Sequence, residues 1–123
     1  MILKFNNNKK IELYSPVYEY LYPYLVRFSL KYNVDKRLWS EKEIIYISDE
    51  NRDSFIQMLE KIVDELLEDL YQEPTQRQRT RHPGYFQKII YKEQKYVLNY
   101  TTDIIGKIAY KLIYIIQEMG NNG

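Results

Sequence analysis

The sequence predicts a small α+β domain, and three observations carry that prediction. Short β-rich runs near residues 1–14, 43–48 and 85–100 are separated by stretches of helical periodicity. One of those stretches, capped at Ser48 and Asp49 and ended by Glu73 and Pro74, is a clean amphipathic helix. Another, residues 104–119, is apolar around most of its circumference and must lie inside a core. With 123 residues, the chain is long enough for one core and is read as a single domain over 1–119 with a short tail at 120–123.

Residues 1–14 read as a β-hairpin. Ile2, Phe5, Ile11 and Leu13 supply apolar positions, and Asn6, Asn7 and Asn8 supply a turn whose side chains tolerate left-handed backbone. Ser15 and Pro16 then form a helix start, with Ser15 as the expected N-cap and Pro16 in the first turn. Val17, Leu21, Leu25, Phe28 and Tyr32 follow helical spacing. Pro23 lies within that pattern and is expected to kink or split the helix. Residues 33–40, with the sole tryptophan Trp39, read as a connection, and residues 43–48 as a short strand.

Ser48 and Asp49 are the expected cap of the long acidic helix. Phe55, Leu59, Ile62, Leu66 and Leu70 line one face, widened by Ile56, Val63 and Leu67. Residues 74–84 contain no apolar residue beyond two prolines and read as a mobile loop. Residues 85–100 fit either two strands or one helix. Their β-branched and aromatic content favours a hairpin joined at residues 92–95. A Thr102 or Asp103 cap begins the last helix, with Ile105, Ile108, Leu112, Ile115 and Met119 as its seam.

Charge is segregated along the chain. Residues 49–73 carry nine acids against Arg52 and Lys61, a net of −7, whereas residues 76–95 carry six bases against Glu93, a net of +5. The whole chain is only +1, so the segregation is local. Such a pattern steers partners or joins the two segments to each other.

Little in the sequence carries catalytic chemistry. There is no cysteine, so disulfides, thiolate metal sites and cysteine nucleophiles are excluded, which fits a reducing cytoplasm. The single histidine, His82, lies in the most polar segment, where an exposed role is the simpler reading than a triad. Glycine is scarce and no phosphate-cradling loop is present. No apolar run has the length of a signal peptide or a bilayer span. The expectation is a non-enzymatic, cytoplasmic protein without metal or cofactor.

Two charged clusters and an excess of tyrosine are the candidates for binding. Asp64, Glu65, Glu68 and Asp69 form a dense patch with like charges at i,i+4 spacing, which repel by a few tenths of a kcal/mol per pair. Their simplest role is a solvated face neutralised by Arg77, Arg79 and Arg81. A basic partner or an oxygen-liking cation would relieve the same repulsion. Arg77, Arg79 and Arg81 alternate with amides and a threonine and are followed by Tyr85, Phe86 and Lys88. In an extended loop the alternation would place the arginines on one side. Arginine with aromatic rings is the chemistry of protein hot spots and of nucleic-acid contacts.

Tyrosine is 14 of 123 residues. Tyr18–Tyr22 and Tyr20–Tyr24 share helix faces, one pair flanking the core and the other leaning outward by this reading. Tyr110–Tyr114 repeats the i,i+4 spacing. These rings either complete a thin core or form a contact surface. The favoured function is a non-catalytic protein-binding module. By analogy of size and composition it is of the inhibitor or immunity-protein type, such as phages and mobile elements encode. The alternative is a nucleic-acid-binding module using residues 77–95. Opposite charge patches also permit a homodimer.

Overall fold

The computed structural model describes residues 1–5, 9–32, 34, 44–69 and 71–120. The N-terminal hairpin is present: β1 (Ile2–Phe5) pairs antiparallel with β2 (Lys9–Glu12), in a register that sets Leu3 opposite Ile11. The expected turn at residues 6–8 lies outside the described residues. The short strand β3 (Ile44–Tyr46) joins the other edge of β1 in parallel, giving the order β2-β1-β3. Leu3, Phe5, Ile11 and Ile45 point into the core, as the period-two alternation requires. The connection with Trp39 also falls outside the described residues, apart from the buried Val34.

Helix α1 (Ser15–Ser29) runs without interruption through Pro23. The expected split does not occur. Pro23 sits on the exposed side, as does Glu19, whose carbonyl loses its helical partner. Ser15 is not the cap either. Tyr14 occupies the N-cap position, and the Ser15 hydroxyl instead meets the Glu19 carboxylate at 3.1 Å. Leu21, Leu25 and Phe28 are buried, and the Ser29 hydroxyl is satisfied inside the core by donating to the Leu25 carbonyl.

Helix α2 (Arg52–Asp69) starts three residues later than the Ser48–Asp49 signal suggests. Those residues open a turn, with the Asn51 N–H donating to the Ser48 carbonyl, and the first helical bond runs from the Phe55 N–H to Asn51. Phe55, Met58, Leu59, Ile62, Val63 and Leu66 are at most 1% exposed, which places this face at the centre of the core.

The largest departure from expectation is at residues 74–84. They are not an unstructured loop. Pro74 is buried, and helix α3 (Gln76–Arg81) follows, leading into a single 3-10 turn, Pro83–Tyr85. Thr75 builds a capping box: its hydroxyl accepts from the Gln78 N–H at 3.1 Å, while the Gln78 side chain accepts from the Thr75 N–H at 2.9 Å.

Residues 85–100 resolve the open alternative in favour of a hairpin. Strand β4 (Phe86–Tyr91) pairs antiparallel with β5 (Gln94–Asn99) through a two-residue turn at Lys92 and Glu93, tighter than the expected four-residue connection. Both turn residues have positive φ, 49° and 65°, the signature of the turn whose twist matches a hairpin. The free edge of β5 is closed by one side chain. The Tyr71 hydroxyl lies 3.3 Å from both the N–H and the carbonyl of Val97, accepting from one and donating to the other.

Helix α4 (Ile104–Gly120) is capped by Asp103, whose carboxylate accepts from the Ile105 N–H at 3.1 Å. It packs against α1, α2 and β5, which explains its apolar circumference. Gly120, expected in the tail, is the last residue of the helix; 121–123 lie outside the described residues. The molecule is therefore a small α+β fold; the described residues form four α-helices and two small sheets, one helix more than the sequence announces.

Candidate functional site

Three acids of α2 are matched within the molecule, but by unexpected partners. Lys92 reaches Asp64 at 2.8 Å and Glu60 at 3.7 Å, and Arg27 of α1 pairs with Glu65. The Tyr91 hydroxyl donates its single proton toward Asp64 at 3.0 Å, with the Glu60 carbonyl as a second acceptor at 3.2 Å. Burial, then the hydrogen bond to Asp64 and the nearby charges of Asp64 and Glu60, hold the Tyr91 phenol well above its ordinary range. The Asp64 hydrogen bond is the main cause raising Lys92 in the same direction. Of the other predicted acids, Glu68 is exposed, and the side chain of Asp69 is outside the described part.

Neutralisation by Arg77, Arg79 and Arg81 does not occur among the described residues: no ion pair joins any of them to a carboxylate. The helical backbone also overturns the one-sided arrangement expected of an extended loop. At about 100° per residue, Arg77 and Arg81 share a face and Arg79 turns away from it. Gln76, Arg77, Thr80 and Arg81 together surround a shallow depression. No residue of α3 is buried.

The following residues divide by role. His82 and Tyr85 stack at 4.6 Å with their planes 8° apart. The Tyr85 carbonyl accepts from the Tyr100 N–H at 3.2 Å, tying this stack to the residue that follows β5. Phe86 is half-buried and lines a cleft of about 330 Å³ together with Thr75 and Gln78. Lys88 is exposed, and Ile90 on the same face of β4 is 64% exposed. The structure thus groups the arginines, His82 and Tyr85, and separates them from Asp64 and Glu65.

The tyrosine pairs of α1 form as expected: Tyr18–Tyr22 meet edge to face at 6.0 Å and Tyr20–Tyr24 stack at 6.3 Å. The split into an inner and an outer pair does not hold. Tyr18 and Tyr24 pack on the core while Tyr20 and Tyr22 are exposed, so each pair bridges core and solvent. Burial first, then Tyr22, raises the Tyr18 phenol.

A second site emerges that residue-by-residue reading missed. Lys107, Tyr110, Lys111 and Tyr114 of α4 form one wall of a groove of about 600 Å³. Tyr14, Tyr100 and the first turn of α1 complete it. Tyr100 and Tyr110 pack at 5.2 Å, and the Lys111 ammonium lies 6.0 Å from the centre of the Tyr14 ring. The signal was present in the spacing: 107, 110, 111 and 114 are i, i+3, i+4 and i+7, one face of a helix.

No group of three or more His, Cys, Asp or Glu side chains suited to a metal occurs among the described residues. Nor is any helix among them long and apolar enough to cross a membrane. No protein-family model, curated protein or solved structure matches the chain.

Proposed function

We propose that this chain is a non-catalytic binding module that occludes an acidic surface of another protein, as small inhibitors and immunity proteins do. One observation carries the reading. Three arginines stand on a surface helix without a carboxylate partner among the described residues, whereas Glu60, Asp64 and Glu65 of α2 are answered by Lys92 and Arg27. Unanswered charge on a pre-ordered helix steers encounter and fixes orientation, and Arg77 and Arg81 with Tyr85 are the residue types that dominate hot spots. The capping box holds the arginine backbone in place before a partner arrives, which lowers the ordering cost of association. In this reading Asp64 and Glu65 serve the fold first, and Glu68 remains as an exposed acid.

A second reading is a nucleic-acid partner, favoured by the His82–Tyr85 stack beside a basic helix. The deciding experiment is affinity capture from the native host with and without nuclease, repeated with Arg77, Arg79 and Arg81 all changed to Glu. Capture of one protein, resistant to nuclease and lost in the triple variant while its circular dichroism is unchanged, is the expected result. Binding that vanishes with nuclease supports the second reading. A phosphate partner would also show log affinity falling linearly with log salt, by about 0.7–0.9 per phosphate engaged. Intact capture by the folded triple variant rejects both.

A further inference from the structure

We propose that the groove between α4, α1 and Tyr100 is a nucleotide-binding site, in which a base stacks on tyrosine rings and a phosphate is held by Lys107 and Lys111. The inference is independent of the basic helix α3 and rests on different residues. Its first support is charge. The lining contains two lysines and no carboxylate, and among the described residues neither lysine makes an ion pair. An uncompensated pair of ammonium groups selects an anion.

The second support is spacing. Lys107 and Lys111 stand one helical turn apart, about 5–6 Å between their β-carbons. Two flexible ammonium groups at that separation converge on the oxygens of one phosphate, each donating a charge-assisted hydrogen bond. The third support is the rest of the wall. Tyr14, Tyr100 and Tyr114 are 64%, 38% and 43% exposed, and Tyr14 and Tyr114 carry no partner ring among the aromatic contacts of the described residues, although one face of Tyr14 meets the Lys111 ammonium at 6.0 Å. Exposed phenol faces beside cations are the platform on which planar bases stack. A groove of about 600 Å³ falls within the usual range of small-ligand pockets.

The same chemistry would accept a free nucleotide or one unit of a single strand. The experiment separates these sources. Adenosine monophosphate, adenosine, inorganic phosphate, a single-stranded thymidine oligonucleotide and an acidic phenylalanine-containing peptide are titrated calorimetrically into the intact chain. Saturable binding of the monophosphate, tighter than that of adenosine or phosphate alone, is expected for a free nucleotide. Binding of the oligonucleotide alone identifies a strand.

In either case the double change Lys107→Glu and Lys111→Glu must weaken binding by about tenfold or more. Changing the three arginines of α3 must leave it unaltered. Tyr14→Ala removes an exposed ring without touching the core, and must also weaken binding if the lysine variant fails to fold. Absence of binding by both nucleotide probes, binding indifferent to these changes, or binding of the acidic peptide in their place would overturn the proposal.

Discussion

The Tyr91 hydroxyl lies 3.0 Å from the Asp64 carboxylate, and this contact joins the second hairpin to the acidic helix. Lys92, the next residue, reaches the same carboxylate at 2.8 Å. The two opposite charge blocks of the sequence therefore do meet, but at one clasp formed by the hairpin turn. The arginines of α3 are left outside it.

Replacing Tyr91 with Phe tests the clasp. The change keeps the ring and removes the single proton that Asp64 and the Glu60 carbonyl share, so a loss of about 1–2 kcal/mol at neutral pH is expected from urea unfolding. Asp64 keeps Lys92 as its partner, which limits the damage. The pH dependence has a defined sign. Folding raises the Tyr91 phenol above its unfolded value near 10, so the folded state holds that proton more tightly. The resulting stabilisation is complete below about pH 10 and declines as pH rises beyond it. Lys92 is shifted in the same direction and loses its contribution over the same alkaline side. The Phe variant should show a shallower alkaline fall than the parent. Equal slopes would mean that Tyr91 does not contribute through its proton.

The turn itself offers a stabilising change. Glu93 has φ of 65° at the second turn position, where glycine is the residue with least strain. Glu93→Gly should gain about 0.5–1 kcal/mol by removing left-handed strain, partly offset by the greater freedom of glycine in the unfolded chain. Melting temperature measures it. A fall in melting temperature would show that Glu93 contributes more than its backbone strain costs.

Gly106 marks the closest approach of α4 to the second hairpin. A β-carbon there would stand 2.1 Å from the Asn99 carbonyl oxygen and 2.8 Å from its carbon. Backbone atoms cannot swing away as a side-chain tip does, so Gly106→Ala must displace the helix or the strand end. A loss of about 3 kcal/mol or more is expected, despite the better helix propensity of alanine. Gly84→Ala is the contrast, because nothing lies within 4 Å of its would-be β-carbon. That variant should stay within about 0.5 kcal/mol of the parent. Comparable losses at both positions would contradict the packing described.

How far the sequence discloses this fold depends on where each element gets its stability. Helices α2 and α4 are legible because burial sets their pattern: Phe55, Leu59, Ile62 and Leu66, or Ile108, Leu112 and Ile115, recur at the helical period and all are buried. Helix α3 buries nothing, so periodicity is silent about it. Its signal is the Thr75–Gln78 capping pair, a local hydrogen-bond device that a search for apolar stripes passes over. The turn at Lys92 and Glu93 is illegible for a different reason. Neither residue favours positive φ, and the tertiary clasp on Asp64 fixes it there. The basic–aromatic segment is visible as a candidate, whereas of the tyrosine–lysine groove only the α4 wall has a signal in its spacing. The groove's rings come from residues 14, 100, 110 and 114, which are gathered only by folding.

The capping pair connects that local device to function, and Thr75→Ala tests the connection. The substitution removes the acceptor for the Gln78 N–H and breaks the reciprocal box. Loss of an N-cap of this kind costs about 1 kcal/mol. A six-residue helix with no buried side chain has little else to oppose unwinding. Hydrogen exchange at residues 78–82 should therefore accelerate while the core of α2 and α4 stays protected. No charge changes, so the electrostatic attraction of Arg77, Arg79 and Arg81 for a partner persists. If their fixed placement matters, affinity should fall through faster dissociation with the association rate nearly unchanged. Unaltered affinity together with accelerated exchange would show that the arginines act only as diffuse charge. Unaltered exchange would show that the helix is held by something other than its cap.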